Sequence, residues 1–149
     1  MAGTPWLIDT NLLIRWVQPA DPGFHLVRTS TNRLKTLGGV CCYTSQNLGE
    51  FWNTLTRPAD RNGYGLTSQE ADRHAKAIEK QFDLLLDDPA VHLIWRRLLV
   101  DHQVSGVQVH DARLVASMLV HGVQRILTFN TRDFVRYPGI EAVHPKDLS

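Results

Sequence analysis

The sequence predicts an α/β fold in three layers: a mostly parallel central sheet of about five strands, covered by helices on both faces. Two observations predict it. Short apolar segments of three to five residues alternate with longer segments whose apolar residues recur at helical spacing, the mark of βαβ units. The short segments are apolar at consecutive positions, as in Val40-Cys41-Cys42-Tyr43, which suits strands buried on both sides of a parallel sheet. Each crossover between parallel strands is then right-handed.

Trp6 to Ile8 is the first strand, and Asn11 to Gln18 the helix that follows it. Pro19 to Gly23 turns the chain into a second helix, Phe24 to Leu37. Its Phe24, Val27, Leu34 and Leu37 share a face, and Gly38-Gly39 stops it. Val40 to Tyr43 is the second strand, and Thr44-Ser45 supplies a cap for the helix Gln46 to Thr56. Pro58, Gly63 and Gly65 make the next segment a loop. Thr67, three positions before Glu70, starts a helix that runs to about Gln81. Phe82 to Leu86 is a third strand. Asp87-Asp88-Pro89 opens a helix reaching about Gln103, and Val104 to Val109 connects it to a helix over His110 to His121, stopped by Gly122. Arg125 to Thr128 is a fourth strand, Thr131 to Tyr137 one or two helical turns, and Ile140 to Val143 a last edge strand. No repeat, low-complexity tract or linker divides the chain, so a single domain over 1–149 is expected.

A chain of 149 residues, 43% hydrophobic and 21% charged, buries enough surface to need neither a disulfide nor a structural metal for its core. No apolar run approaches the roughly 18 residues of a membrane span, and no basic segment leads into an apolar one at the N-terminus. Adjacent Cys41 and Cys42 sit inside an apolar strand and read as reduced thiols, because vicinal disulfides are strained. A cytoplasmic setting is expected from them.

The residues with chemistry to explain are Asp9, Glu50, Asp111 and Asp133. Asp9 ends the first strand, and Asp133 follows the fourth by a few residues. Glu50 lies about one and a half turns into the helix after the second strand, and Asp111 in the first turn of its own helix. In open parallel sheets, ligands bind beyond the carboxyl ends of the strands, and all four acids map there. Singly, each has a structural explanation: Asp9 as a helix cap, Glu50 as a solvated helix residue, Asp111 beside a helix N-terminus, Asp133 paired with an arginine. Together they are costly unless a positive group holds them. A divalent metal supplies it, and metal-assisted phosphodiester cleavage is the simplest use. Mg²⁺ or Mn²⁺, one or two ions, suits oxygen ligands of this kind. Asn11, Thr128 and Asn130 lie on the same rim, suited to orienting ligands.

The stretches LIDTNLLI, SQNLGEFWN, VSGVQVHDARLVA and LTFNTRDFVRYPGI resemble, in order and separation, those of PIN domains. Within that family the chain looks like a VapC-type toxin ribonuclease of bacterial toxin–antitoxin pairs. The resemblance covers nearly the whole chain. It implies a PIN-like α/β/α sandwich in which Asp9, Glu50, Asp111 and Asp133 form an acidic quartet holding Mg²⁺ or Mn²⁺ for endonucleolytic RNA cleavage. It also implies that Asn11, Thr128 and Asn130 are the family's supporting polar positions. An antitoxin that blocks the site, and a homodimer, are the partners it implies.

Other features weigh less. Sixteen Lys and Arg against fifteen Asp and Glu exclude a polybasic nucleic-acid binder, yet setting the quartet aside leaves +5 for the remaining surface. Arg132 and Arg136 lie nearest the acids and are the candidates for substrate phosphate; Arg57 and Arg61 are expected in a solvated loop. Seven histidines show no zinc-ligand spacing, and no phosphate-binding glycine motif occurs. His110, beside Asp111, reads as a helix-start residue. Trp16, Trp52 and Trp95 read as core or dimer surface. Two other functions compete. An aspartyl-phosphate-type hydrolase also places an acid after the first strand, but it usually needs a second acid two positions on, where this chain has Asn11. A non-catalytic module could use the acidic pocket to bind a basic peptide.

Overall fold

Strand β1 (Thr4–Ile8) is the centre of a five-stranded sheet with the order β3-β2-β1-β4-β5. The computed structural model describes residues 3–148; of the expected 1–149 domain, Met1, Ala2 and Ser149 lie outside the described residues. β2 (Gly39–Thr44) and β3 (Asp83–Leu85) flank β1 on one side, β4 (Arg125–Leu127) and β5 (Glu141–Val143) on the other. Every pairing is parallel, with Leu7 opposite both Cys42 and Ile126. The sheet is thus wholly rather than mostly parallel. The expected edge strand β5 reaches its parallel register because a short 3₁₀ turn, Thr131–Phe134, carries the chain back to the start of β4.

Helices α1 (Thr10–Trp16), α2 (Phe24–Thr36), α3 (Ser45–Thr56) and α4 (Ser68–Gln81) cover one face. Their Leu12, Val27, Phe51, Leu55 and Ile78 pack with Ile8, Cys41 and Leu127 of the strands. Helices α5 (Pro89–Asp101) and α6 (Gln108–His121) cover the other, where Val115 and Met118 meet Leu7, Cys42 and Ile126, and Trp95 and Leu98 pack alongside. Successive strand residues feed opposite layers, as a pleated strand requires. Cys41 and Cys42 therefore point into different cores. Both thiols are free, and burial pushes them up to about 12 and about 11, so they are inert apolar residues.

The local signals act as expected, with small shifts. Thr67 and Glu70 form a capping box. Thr44 caps α3, but its reciprocal partner three positions on is Asn47. Helix α6 starts two residues earlier than expected, because Gly106 adopts φ +63° and Val109 and His110 donate to the carbonyls three residues back. Gly122, at φ +70°, ends it. After α3 the chain doubles back, and the amides of Tyr64 and Leu66 satisfy the carbonyls of Thr54 and Leu55 at 3.1 and 2.9 Å.

That return imposes opposite demands on two glycines. A Cβ at Gly63 would run into the carbonyl of Arg57, which no side-chain rotation relieves, whereas a Cβ at Gly49, on the exposed side of α3, meets open space. Gly63→Ala is expected to cost about 1–3 kcal/mol. Gly49→Ala is expected to add about 0.5–1 kcal/mol, since alanine loses less entropy than glycine in a helix. Urea denaturation of both variants checks the pair, and stabilisation by Gly63→Ala would contradict it.

Candidate active site

The chain leaves β1 at Asp9 and β4 at Thr128, neighbouring positions at the carboxyl edge where the sheet's connections switch direction. Crossovers from β1 run to β2 on one side, while the return from β3 lands on β4 on the other. Such a switch point opens a crevice above the sheet. Asp9, with 8% of its surface exposed, extends the ladder by donating its amide to the Leu127 carbonyl at 3.0 Å. Both its carboxylate oxygens are engaged. Oδ1 accepts from the Thr10 amide at 2.8 Å, capping α1, and Oδ2 accepts from Thr128 Oγ1 at 2.7 Å. Fully buried Thr128 accepts in turn from the Asn130 amide at 3.0 Å.

The other acids arrive from separate elements. Glu50 projects from α3, and its Oε1 accepts from Thr10 Oγ1 at 2.9 Å. Asp111 stands in the first turn of α6, and Asp133 in the exposed 3₁₀ turn after β4. The structure brings all four into one electrostatic neighbourhood. Burial raises the Asp9 carboxyl above its ordinary value, the Thr128 hydroxyl and Thr10 amide pull it back, and Glu50 and Asp133 push it up again. Asp111 is pushed up to about 7, by burial first and then by repulsion from Asp9, Asp133 and Glu50. No basic side chain neutralises the group: the ion pairs among described residues are Arg15–Asp21, Lys76–Asp72 and Arg125–Glu141.

As placed, no three His, Cys, Asp or Glu side chains among the described residues surround a single metal position. The arrangement still suits Mg²⁺, which keeps several waters and takes one or two carboxylates rather than a full protein cage. Asn11 Oδ1, two residues from Asp9, is a buried oxygen without a partner among the described residues, a further donor of the right kind.

The remaining expected residues divide. Arg132 and Asn130 are exposed and, with Phe129, Thr131 and Asp133, line a recess of about 270 Å³. The Arg132 side chain makes no hydrogen bond or ion pair with any described residue. Arg136 donates to Gln108 Oε1 at 2.8 Å and, more loosely, to the His102 carbonyl at 3.4 Å, so its guanidinium braces the start of α6. Arg57 Nη2 donates within its own loop, to the Asn62 carbonyl. A recess of similar size, lined by Trp6, Leu34, Leu37 and Arg125, lies at the amino ends of the strands, away from the acids.

Sequence reasoning missed Thr10, Gln46 and Asn47. Thr10 bonds both Asp9 and Glu50, and buried Asn47 donates to the Thr10 hydroxyl at 3.0 Å. Gln46 Nε2 donates to the His110 carbonyl at 2.8 Å and ties α3 to the turn carrying Asp111. The available signal was an Asn at the third position of a Thr-capped helix, where Glu or Gln is the usual reciprocal partner.

The raised Asp111 carboxyl has a stability consequence in chelator. A carboxyl that titrates near 7 when folded, against an ordinary 3.8, binds its proton more tightly in the folded chain. Above about pH 7 both states are ionised and the fold carries the full repulsion; below that, protonation relieves the folded state first. Lowering pH from about 8 to about 5 in EDTA is expected to stabilise the protein. Asp111→Asn is expected to raise the melting temperature at the upper pH and to flatten this dependence. Parallel slopes for the two proteins would sink the assignment.

Residues 6–140 match the sequence profile of the PIN domain. No curated protein sequence matches the chain. Several solved structures share its fold at low identity. A chain of the DNA-bound VapBC2 assembly of Rickettsia felis superposes with a TM-score of 0.72 at 10% identity, over 95% of this chain and 98% of that one. DNA-bound VapBC of Salmonella typhimurium gives 0.70 at 17% identity, over 95% and 98%. The sarcin–ricin loop-cleaving toxin VapC20 of Mycobacterium tuberculosis gives 0.59 at 19% identity, over 80% and 85%. With its profile match spanning residues 6–140, most of its length, the chain belongs to the PIN domain family.

Proposed function

We propose that this protein is a single-domain, Mg²⁺- or Mn²⁺-dependent endoribonuclease, the VapC-type toxin of a toxin–antitoxin pair. The observation that carries the reading is the gathering of Asp9, Glu50, Asp111 and Asp133, from four separate elements, with no cationic partner among the described residues. Asp9, Glu50, Asp111 and Asp133 would hold one or two ions. An ion held there would supply Lewis-acid activation of a water and of the scissile phosphate. The chain's own residues do the positioning. Thr128 and the Thr10 amide fix both oxygens of Asp9, an arrangement suited to a stationary ligand rather than to a nucleophile that must turn toward a phosphate. Asn11 and Asn130 present polar groups on the same rim. Arg132 supplies positive charge where an RNA phosphate would pass beside Asp133, while Arg136, bonded to Gln108, is the second candidate.

The partners follow from the same reading. A cognate antitoxin is the expected partner, since the neighbouring structures are VapBC assemblies, and the acidic crevice is the surface it would block. A homodimer is supported by α5, an apolar helix of which only Val91 is buried while Leu93 and Val100 are exposed. Among the described residues no helix is long and apolar enough to cross a membrane. The free, buried thiols of Cys41 and Cys42 support a cytoplasmic setting.

Two measurements test the chemistry. Asp9→Asn and Asp111→Asn are each expected to lower cleavage of single-stranded RNA by at least about two orders of magnitude while the fold is kept. Mn²⁺ at about 100 times its Kd is expected to stabilise the wild-type protein by about 2.7 kcal/mol. Cleavage that persists in both variants, or in excess chelator, would dispose of the reading. For Arg132→Gln, RNA affinity should fall severalfold and the slope of log affinity against log salt should decrease by about 0.7, one phosphate's share on a single strand. An unchanged slope would remove Arg132 from the substrate path.

A further inference from the structure

We propose that Asn47 is a positioning residue of the acidic centre: by donating to Thr10 it keeps that residue's single hydroxyl proton on Glu50. The inference rests on the reading of Glu50 as a metal ligand. Asn47 has no exposed surface, and a buried amide is tolerated only where its oxygen and its nitrogen each find a partner. Its Oδ1 accepts from both the amide and the hydroxyl of Thr44, each at 2.9 Å, so the carbonyl end is fixed toward the junction of β2 and α3. That leaves Nδ2 facing Thr10 Oγ1 at 3.0 Å.

The direction of the relay then has one solution. An amide nitrogen can only donate, and a hydroxyl has a single proton to give. Thr10 Oγ1 accepts from Asn47 and must spend its proton elsewhere; Glu50 Oε1 receives it at 2.9 Å. The Thr10 amide meanwhile holds Asp9 Oδ1 at 2.8 Å. One residue therefore grips an oxygen of each of two acids; the Glu50 carboxylate can only accept, and Asn47, as a donor, leaves the Thr10 proton uncontested for it. Capping alone does not call for asparagine here, since Glu or Gln is the usual partner at this helix position. A glutamate would keep the cap but present a second acceptor to Thr10 and draw the proton away from Glu50.

Asn47→Asp tests this with almost no change of shape. One carboxylate oxygen keeps the cap, the other accepts from Thr10, and Glu50 loses its donor. Thr10→Val removes the relay, and Thr10→Ser restores a hydroxyl. The readouts are the Mn²⁺ dissociation constant by calorimetry, kcat and KM on single-stranded RNA, and the melting temperature in EDTA as a check of folding. Asn47→Asp and Thr10→Val are expected to weaken Mn²⁺ binding by about 10- to 100-fold. They should also lower kcat with KM within about twofold of wild type, and Thr10→Ser should recover most of both losses. An extra carboxylate acting by charge alone would tighten Mn²⁺ instead. Unchanged or tighter binding by Asn47→Asp, or unchanged binding by Thr10→Val, overturns the proposal. Should Asn47→Asp fail to fold, the Thr10 pair decides alone. Glu50→Gln separates the two levels. If it binds Mn²⁺ and cleaves RNA like wild type, the metal reading itself falls; if it loses both while Asn47→Asp and Thr10→Val do not, only the positioning role falls.

Discussion

The hydrogen bond from Thr128 Oγ1 to Asp9 Oδ2 is 2.7 Å long, buried, and joins residues 119 positions apart. It exists because β4, made after three crossovers, lies beside β1, made first. That adjacency creates the switch point, brings Asn130 and Asp133 to the rim already occupied by Asp9, and gives the least exposed of the acids its second donor. Without it the crevice would have one wall. Each other contribution to the site is set by where an element stands relative to this seam: α3 with Glu50 on one layer, the start of α6 with Asp111 on the other.

Gathering the acids costs stability, and the surrounding residues limit the cost without abolishing it. Burial and mutual repulsion both raise Asp111, and nothing cationic among the described residues compensates. Around the acids the fold spends neutral donors instead: the Thr10 amide, the Thr10 and Thr128 hydroxyls and, one step behind, the Asn47 amide. Neutral donors orient a carboxylate while leaving its charge to be matched by something that arrives from outside. Arginines at the same positions would have stabilised the empty site and competed with a metal. The three arginines near this edge conform to that division: Arg15 pairs with Asp21, Arg136 braces α6, and Arg132 lies exposed beside the recess.

Much of this was legible in the sequence, because the strands and caps are locally specified. The apolar runs located all five strands to within two residues at each end, and Gly122 ended α6 where the positive φ requires it. The four acids stood out because each is attached to an element boundary. What the sequence could not show is which strand is central, since alternation of strands and helices fixes the handedness of each crossover but not the order of the strands. Nor could it show how the side chains of Arg136 and Gln46 are committed. Their partners, Gln108 and the His110 carbonyl, are 28 and 64 positions away, and only the packed layers bring them into reach.

Thr10 and Asn47 escaped for a subtler reason. Each has a sufficient local explanation, Thr10 as the first residue of a capped helix and Asn47 as the partner of its own helix cap, and a residue with one adequate role attracts no second. The structure shows that the roles are joined. Because Thr44 claims the Asn47 carbonyl for the cap, the amide nitrogen is turned to the opposite side, where it donates to Thr10. Because Asn47 donates there, it does not compete with Glu50 for the Thr10 proton. The residue that completes the helix cap thus also leaves a hydrogen bond of the acidic centre uncontested. A local folding signal and a site geometry share one side chain, so neither can change without the other.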